Sequence, residues 1–412
     1  MRIIHTGDWH LGQSFYDYDR KTEHLRFLTW LKGTVSSIGI DVLLIAGDVF
    51  DSPNPSAESQ KVYYSFLREI TNENPDLQVI IIAGNHDSAA RLEAPNPLLE
   101  SMNVSVKGLV KRTVNGDIDY ENLIVPLNAG GYCLAVPYLR QGDYPEAENY
   151  AASVKMMYDR LYEIACELIT GHASENNRPS PILAMGHLHV AGSEISENDR
   201  SERTVIGGLE NVLPDAFCQG IAYIALGHLH RGQKASGHEN IRYAGAPIPM
   251  SFAEKNNRQG VVLVEIKNER AIGRHYSVHI ERIEYDGAIR LLSIPNEPLS
   301  QEETLREIQK LPHGDITDES PYLEIKTLIT EPEPALRHRI EEALKGKAVR
   351  LARITAVMQA GTSERKAPTL EELQAASPMD IAEKVFERKY GGEKLPETMK
   401  KLLLEVIKEV ER

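Results

Sequence analysis

Five short apolar runs in this chain each end at a glycine followed at once by acidic, amide or imidazole groups. Arg2–Thr6 runs into Asp8 and His10, and Asp41–Ala46 into Asp48 and Asp51. Gln78–Ala83 meets Asn85, His86 and Asp87; Pro181–Met185 meets His187 and His189; Ala222–Leu226 meets His228 and His230. Continuous Ile, Val, Leu and Ala over so short a span predicts interior strands covered on both faces. In α/β sheets, ligand sites lie outside the carboxyl ends of such strands. Gly7, Gly47, Gly84, Gly186 and Gly227 are expected to let the backbone turn sharply there, because they carry no Cβ. The pattern predicts five loops converging on one point.

Helical periodicity fills the spaces between the first three strands. In Thr22–Ser37 the residues Leu25, Phe27, Leu28, Leu31 and Val35 recur at helical spacing, and Ser56–Asn72 opens on the N-cap Ser56. Strands alternating with helices predict a layered α/β domain. Ser193–Asn211 is polar and reads as a surface excursion, and Gly260–Ile266 and Arg274–Ile283 read as alternating strands. A smaller unit follows: a strand at Tyr322–Ile329, a helix at Pro334–Gly346 and a strand at Val349–Met358. Gly361–Thr369 has linker composition, and Asp380–Tyr390 and Leu395–Val410 are amphipathic helical patterns. The expected domains are 1–285, 286–366 and 367–412.

The chain's 412 residues fit two or three domains, and its formal net charge is -14. That charge excludes nucleic-acid binding by bulk basicity, so a phosphate-rich partner needs a local basic patch or a metal. No apolar stretch approaches the ~20 residues of a membrane span, and the opening residues lack a signal-peptide core. Both point to a cytoplasmic protein with no membrane partner. Cys133, Cys166 and Cys218 form no CxxC pair. A metal site must therefore draw on carboxylates, imidazoles and amides. A set of mixed O and N donors this large exceeds one tetrahedral zinc and suits two divalent ions of the manganese, iron or zinc kind. Each cluster alone is weak, since Gly-Asp is common in turns and surface histidines are common. All five in order, each at a strand end, are hard to obtain by accident.

The ordered set DxH, GDxxD, GNHD, GH and GHxH resembles the calcineurin-like metallophosphoesterase superfamily. The stretches "HTGDWHLGQSFYDYDR", "AGDVFDSPNPS", "ALGHLHRGQ" and "RYAGAPIPMSF" resemble, within it, the SbcD family of bacterial nuclease subunits. The resemblance implies a β-sandwich flanked by helices, a small α+β capping domain and C-terminal helices. It implies that Asp8, His10 and His230 hold one ion, that Asn85, His187 and His228 hold a second, and that Asp48 bridges them. The implied ion is manganese. His86 would face the scissile phosphate and assist the leaving oxygen, with Asp51 orienting its ring. His189 departs from the pattern and reads as a solvent-facing or supporting histidine. Asp87 reads as a structural residue of its own loop.

The resemblance further implies cleavage of double-stranded ends and of single-stranded or hairpin DNA, together with an SbcC-type coiled-coil ATPase, as a homodimer within a heterotetramer. The chain itself has no GxxxxGK[ST] loop for ATP. Leu336–Lys366 carries eight Lys/Arg against three acids. Arg337, Arg339, Lys345, Lys347, Arg350 and Arg353 in that island are expected to contact DNA phosphates. Met399, Leu403, Val406 and Val410 lie at helical spacing and are expected to dock on the ATPase partner. Two other readings fit the same residues: a phosphatase or nucleotide phosphodiesterase, and a non-catalytic scaffold. A scaffold should have lost ligands, and this chain retains them.

Overall fold

The computed structural model describes residues 1–172, 180–194, 211–268, 276–330 and 333–358, and beyond them 379, 386, 396, 399 and 400. Met1–Val357 form one compact unit and Met358–Arg412 another. Apart from 386, 396, 399 and 400, the two patterns read as C-terminal helices lie outside the described residues, as do the linker and most of the polar excursion.

Two six-stranded sheets face each other. The first is built around β1 (Arg2–Thr6), β2 (Val42–Ala46), β3 (Gln78–Ile82) and β4 (Val104–Lys107), all parallel. The second contains β5 (Ile124–Pro126), β6 (Tyr132–Ala135), β7 (Ile182–His187), β8 (Tyr223–Gly227) and β9 (Ile241–Tyr243), with β6 to β9 parallel. The first sheet is completed by β10 (Gly260–Asn268) and β11 (Tyr276–Glu284), in the order β11-β10-β1-β2-β3-β4.

Side-chain alternation explains the unbroken apolar runs. Along β2, Val42, Leu44 and Ala46 enter the core between the sheets. Leu43 and Ile45 enter the core on the opposite face. There they meet α1 (Lys21–Ile38) through Phe27, Leu28 and Leu31, and α2 (Ala57–Glu73) through Tyr63, Phe66 and Leu67. The second sheet buries its outer face under α3 (Tyr150–His172), through Val154, Met157, Tyr158 and Leu161. The expected strands and the first two helices fall within two residues of the observed ends, and Ser56 Oγ accepts the Ser59 N–H as an N-cap.

Beyond β11 the chain forms a three-stranded sheet of β12 (Leu291–Leu299), β13 (Tyr322–Ile329) and β14 (Arg350–Met358). The helices α4 (Gln301–Gln309) and α5 (Leu336–Ala343) complete this cap. Ile308, Leu323, Ile325, Ile340 and Val349 form its own small core. A second apolar cluster joins the cap to the loop after β1, through Phe15, Phe252, Leu291 and Tyr322. Tyr322 also donates to Glu23 Oε1 at 2.8 Å, and Glu23 takes two hydrogen bonds from the fully buried Arg20.

Candidate metal centre

The strand ends of the two sheets bring their loops together. Asp8 N–H donates to Gly47 O at 3.0 Å, His10 N–H to Asp48 O at 3.0 Å, and Leu11 N–H to Val49 O at 2.9 Å. The β1 and β2 loops thus run on side by side past the sheet. Trp9 points away from the site, buried against Phe27 and Phe66, and pins the first loop. The Asp87 carboxylate accepts the N–H groups of Gly84, Val49 and Phe50 at 2.9–3.1 Å, which locks the β3 loop to the β2 loop. Asp8 Oδ1 accepts the His228 N–H at 2.9 Å, which ties the first sheet to the second.

The glycines act differently from the sequence expectation. Of the five at the strand ends, only Gly47 has a left-handed backbone, with φ 87°. The left-handed residues are the candidate ligands themselves: Asp8 at φ 52°, His10 at 47°, Asp48 at 46° and His228 at 98°. Such conformations cost of order 1–3 kcal/mol each and persist only where the surroundings over-determine them. The glycines instead allow close approach. A Cβ on Gly84 would lie 2.1 Å from Asp48 Oδ1, and one on Gly47 would lie 2.3 Å from His187 Nδ1.

All seven expected ligands converge. Asp8, His10 and His230 place donor atoms within 4.8 Å of one another, as do Asp8, Asp48 and His187. Asn85 Oδ1 lies 3.0 Å from both His187 Nε2 and His228 Nδ1. His187 Nδ1 donates to Ala46 O at 2.9 Å, which leaves Nε2 as the ring's free lone pair in the neutral imidazole. A lone pair facing an amide oxygen at 3.0 Å requires a proton or a cation between them. Donors around one octahedral ion at ~2.1 Å are themselves about 3 Å apart, so the spacing fits a shared ion. Asp48 Oδ2 is 3.4 Å from His187 Nε2 and 3.6 Å from His10 Nε2, between the two donor groups. Asp8 Oδ2 and His10 Nε2 are buried without a hydrogen-bond partner, so the donor set fits divalent cations.

The electrostatics agree. Burial raises the Asp8 carboxyl to about 7, against the pull of His187 and His230. Burial lowers the His228 imidazole to about 3. Burial opposes charge on His187 too, yet the Asp48 and Asp8 carboxylates lift it to about 9. A bound divalent ion would favour the ionised Asp8 and the neutral imidazoles as its ligands.

Asp51 meets the His86 ring through its backbone carbonyl, which accepts from His86 Nδ1 at 3.0 Å, while its carboxylate Oδ1 lies 3.3 Å from His10 Nδ1. Asp51 therefore fixes both rings. His10, Asp51 and His86 also gather donor atoms within 4.8 Å; there His10 Nδ1 faces the Asp51 carboxylate and His86 Nδ1 the Asp51 carbonyl. The sequence reading missed Glu254. Buried at 2% exposure, it receives the Met250 N–H at 3.0 Å and holds His230 Nδ1 at 3.2 Å from Oε1. The nearest signal was an acid closing the "PIPMSFAE" run. Carboxylates behind metal-binding imidazoles tune ligand basicity. Glu254→Gln is expected to weaken Mn2+ binding about 10–100-fold without unfolding the chain; titration calorimetry with a melting curve checks it. His189 lies outside these groups, its Nδ1 against Asn211 Oδ1.

The basic island of the cap is largely committed within the fold. Lys347, at 5% exposure, donates to Gln309 O and Leu311 O, and Arg350, at 7%, donates to Ser320 O and stacks 3.8 Å from the Tyr322 ring centre. Both are structural, which corrects their expected role in DNA contact. Arg353 pairs with the buried Glu324. Arg337, Arg339 and Lys345 are exposed and pair with Glu341, Glu333 and Glu342.

A parallel-stranded sandwich carrying these donors at its strand ends is the framework of a metallophosphoesterase. Residues 1–232 match the calcineurin-like phosphoesterase family model, and 289–390 match one described as the type 5 capsule protein repressor C-terminal domain. The chain is 34% identical over 389 residues to the SbcD component of the SbcCD nuclease of Rhodobacter capsulatus, covering 92% of each chain. It is 33% identical over 281 residues to SbcD of Escherichia coli K12, covering 65% of this chain and 66% of that one. Against the Bacillus subtilis 168 SbcD the identity is 29% over 272 residues, with 65% and 66% covered. The chain belongs to the calcineurin-like phosphoesterases and, within them, to the SbcD family of SbcCD nucleases.

Proposed function

We propose that this chain is the metal-dependent nuclease subunit of an SbcCD-type complex, hydrolysing phosphodiester bonds at DNA ends and hairpins. The observation that carries the reading is the convergence of seven donors in a chain similar to a nuclease subunit over 92% of its length. Asp8, His10 and His230 would hold one ion, Asn85, His187 and His228 the other, and Asp48 both. Divalent ions bound by these residues would supply Lewis-acid chemistry: a more acidic water and neutralised charge on phosphoryl oxygens. Mn2+ suits this mixed carboxylate, amide and imidazole set. The protein's own part is positional. Asp51, Glu254 and Ala46 O fix three imidazoles, and Asp48 Oδ1 holds the His86 backbone N–H at 2.8 Å. His86 keeps Nδ1–H on the Asp51 carbonyl, so as an imidazolium it would pass the Nε2 proton to the departing oxygen and be left as the neutral Nδ1–H ring. Purified chain with Mn2+ should cleave double-stranded ends and hairpins. Hydrolysis of p-nitrophenyl phosphate with no DNA cleavage would favour a phosphatase.

The proposed setting is the cytoplasm, where DNA is the substrate; among the described residues no helix is long and apolar enough to cross a membrane. The proposed assembly is two copies with two SbcC-type ATPases. Its docking stripe would include Met399, which is half exposed, with Leu403, Val406 and Val410, which lie outside the described residues. Deleting Met379–Arg412 removes eight Lys/Arg and eight Asp/Glu and none of the donors. It is expected to abolish co-elution with the ATPase at low micromolar concentration and to spare Mn2+-dependent cleavage of short single strands. Retained co-elution would reject the docking assignment.

A further inference from the structure

In an acidic chain, most surface cations among the described residues are paired with carboxylates; Arg2, Arg231, Arg258 and Arg337 are examples. Three exposed arginines beside the metal centre are held by neutral oxygens instead. Arg91 donates to Asn54 Oδ1 at 2.8 Å, Arg140 to Asp87 O at 3.3 Å, and Arg112 to Gly116 O at 2.9 Å and to Gly142 O. Asp143, the acid on the same turn as Arg140, takes that residue's backbone N–H at 2.9 Å and not its guanidinium.

These contacts tie the three to the loops that carry Asp51 and His86 and to the turn packed on them. Arg112 lies on the 140–143 turn through Gly142 O, and Arg140 on the Asp87–Ser88 peptide, one residue past His86. His86 reaches Asp51 O, and Arg91 binds Asn54 three residues further along that loop. The 138–140 segment is itself anchored to the β3 loop, since Tyr138 N–H donates to Ala83 O at 2.8 Å. Arg140 stands 5.4 Å from the Tyr138 ring centre, and the edge of that ring meets His187. Neutral acceptors orient a guanidinium without cancelling its charge, so these groups stay available to an anion.

We propose that Arg91, Arg112 and Arg140 form a cationic ridge that grips the phosphodiester backbone of a nucleic-acid strand on the His86 side of the centre. The ridge rests on the nuclease reading and adds the surface that holds nucleotides flanking the scissile bond. It assigns backbone contact to the catalytic unit in preference to the cap residues Arg337, Arg339 and Lys345, which already carry carboxylates.

The test starts with wild-type cleavage of a 20-nucleotide single strand with Mn2+; no cleavage would overturn the nuclease reading, and the ridge with it. Fluorescence anisotropy then follows binding of that strand across a salt series. The triple variant Arg91→Ala, Arg112→Ala, Arg140→Ala is expected to bind at least tenfold more weakly. Its log-log salt dependence should be shallower by about 2, as removal of three phosphate contacts from a single strand requires. Its preference for the oligonucleotide over bis(p-nitrophenyl) phosphate should fall in parallel. The triple Arg→Lys variant, which keeps the charge, should restore the salt dependence. Unchanged anisotropy in the Ala triple would overturn the ridge. So would a loss reproduced only by Arg337→Ala, Arg339→Ala, Lys345→Ala on the cap. A lowered melting temperature with no recovery in the Lys triple would show a structural role and overturn it as well.

Discussion

Asp48→Asn is expected to lower Mn2+-dependent DNA cleavage by at least about 10³-fold, equivalent to several kcal/mol of metal-borne transition-state stabilisation. Asp48 Oδ2 lies between His10 and His187, and Oδ1 receives the His86 N–H at 2.8 Å. An amide can keep that hydrogen bond through its oxygen. It cannot offer a second anionic oxygen, and its NH2 would face the ion with the wrong polarity. The fold should survive, because the substitution also removes one of two close buried carboxylates; Asp8 feels the charge of Asp48. Calorimetric metal stoichiometry, cleavage and melting temperature, measured together, check this. Cleavage within tenfold of wild type would sink the shared-ligand assignment.

His86→Ala is expected to leave both ions bound while cutting turnover by about 10²–10⁴-fold, the range for a positioned proton donor. Its ring stacks edge to face with His10 at 4.9 Å between centres, and its Nδ1 is committed to the Asp51 carbonyl at 3.0 Å. It therefore borders the centre without supplying a necessary donor. Steady-state cleavage with direct metal counting separates the two effects. Loss of an ion in this variant would make His86 a ligand. A leaving group that needs no protonation, such as p-nitrophenolate, should recover much of the rate.

The strand-end positions were legible because burial on both faces and a ligand rim impose opposite compositions within a few residues. Arg2–Thr6, which runs into Asp8 and His10, matches its observed span for that reason. Relations between distant segments were not legible. Glu254 reaches His230 across 24 residues, and no local pattern announces the pair. Asp51 does stand beside His86, but sequence cannot distinguish its carbonyl from its carboxylate as the group that holds the ring. Counting charge in the cap treated Lys347 and Arg350 like Arg337, although burial turns the first two inward. The helix α4 was overlooked despite a capping box, Ser300 with Glu303, because its apolar face is short. The left-handed φ of Asp8, His10 and Asp48 has no sequence signature beyond the tolerance of Asp and His for that region.

The pairing of β1 with β10 sets the order in which the enzyme can come into being. Ile4 lies opposite Leu263, and His5 opposite Val262. A ribosome delivers the first donors, Asp8 and His10, some 220 residues before His228 and His230. The flank of β1 stays open until β10 emerges. A partly synthesised chain thus carries half a metal centre on an unfinished sheet, and hydrolytic capacity arrives only when almost the whole catalytic unit has left the exit tunnel. Closure of long-range strand pairs is slow. The same topology that joins the donors therefore delays them.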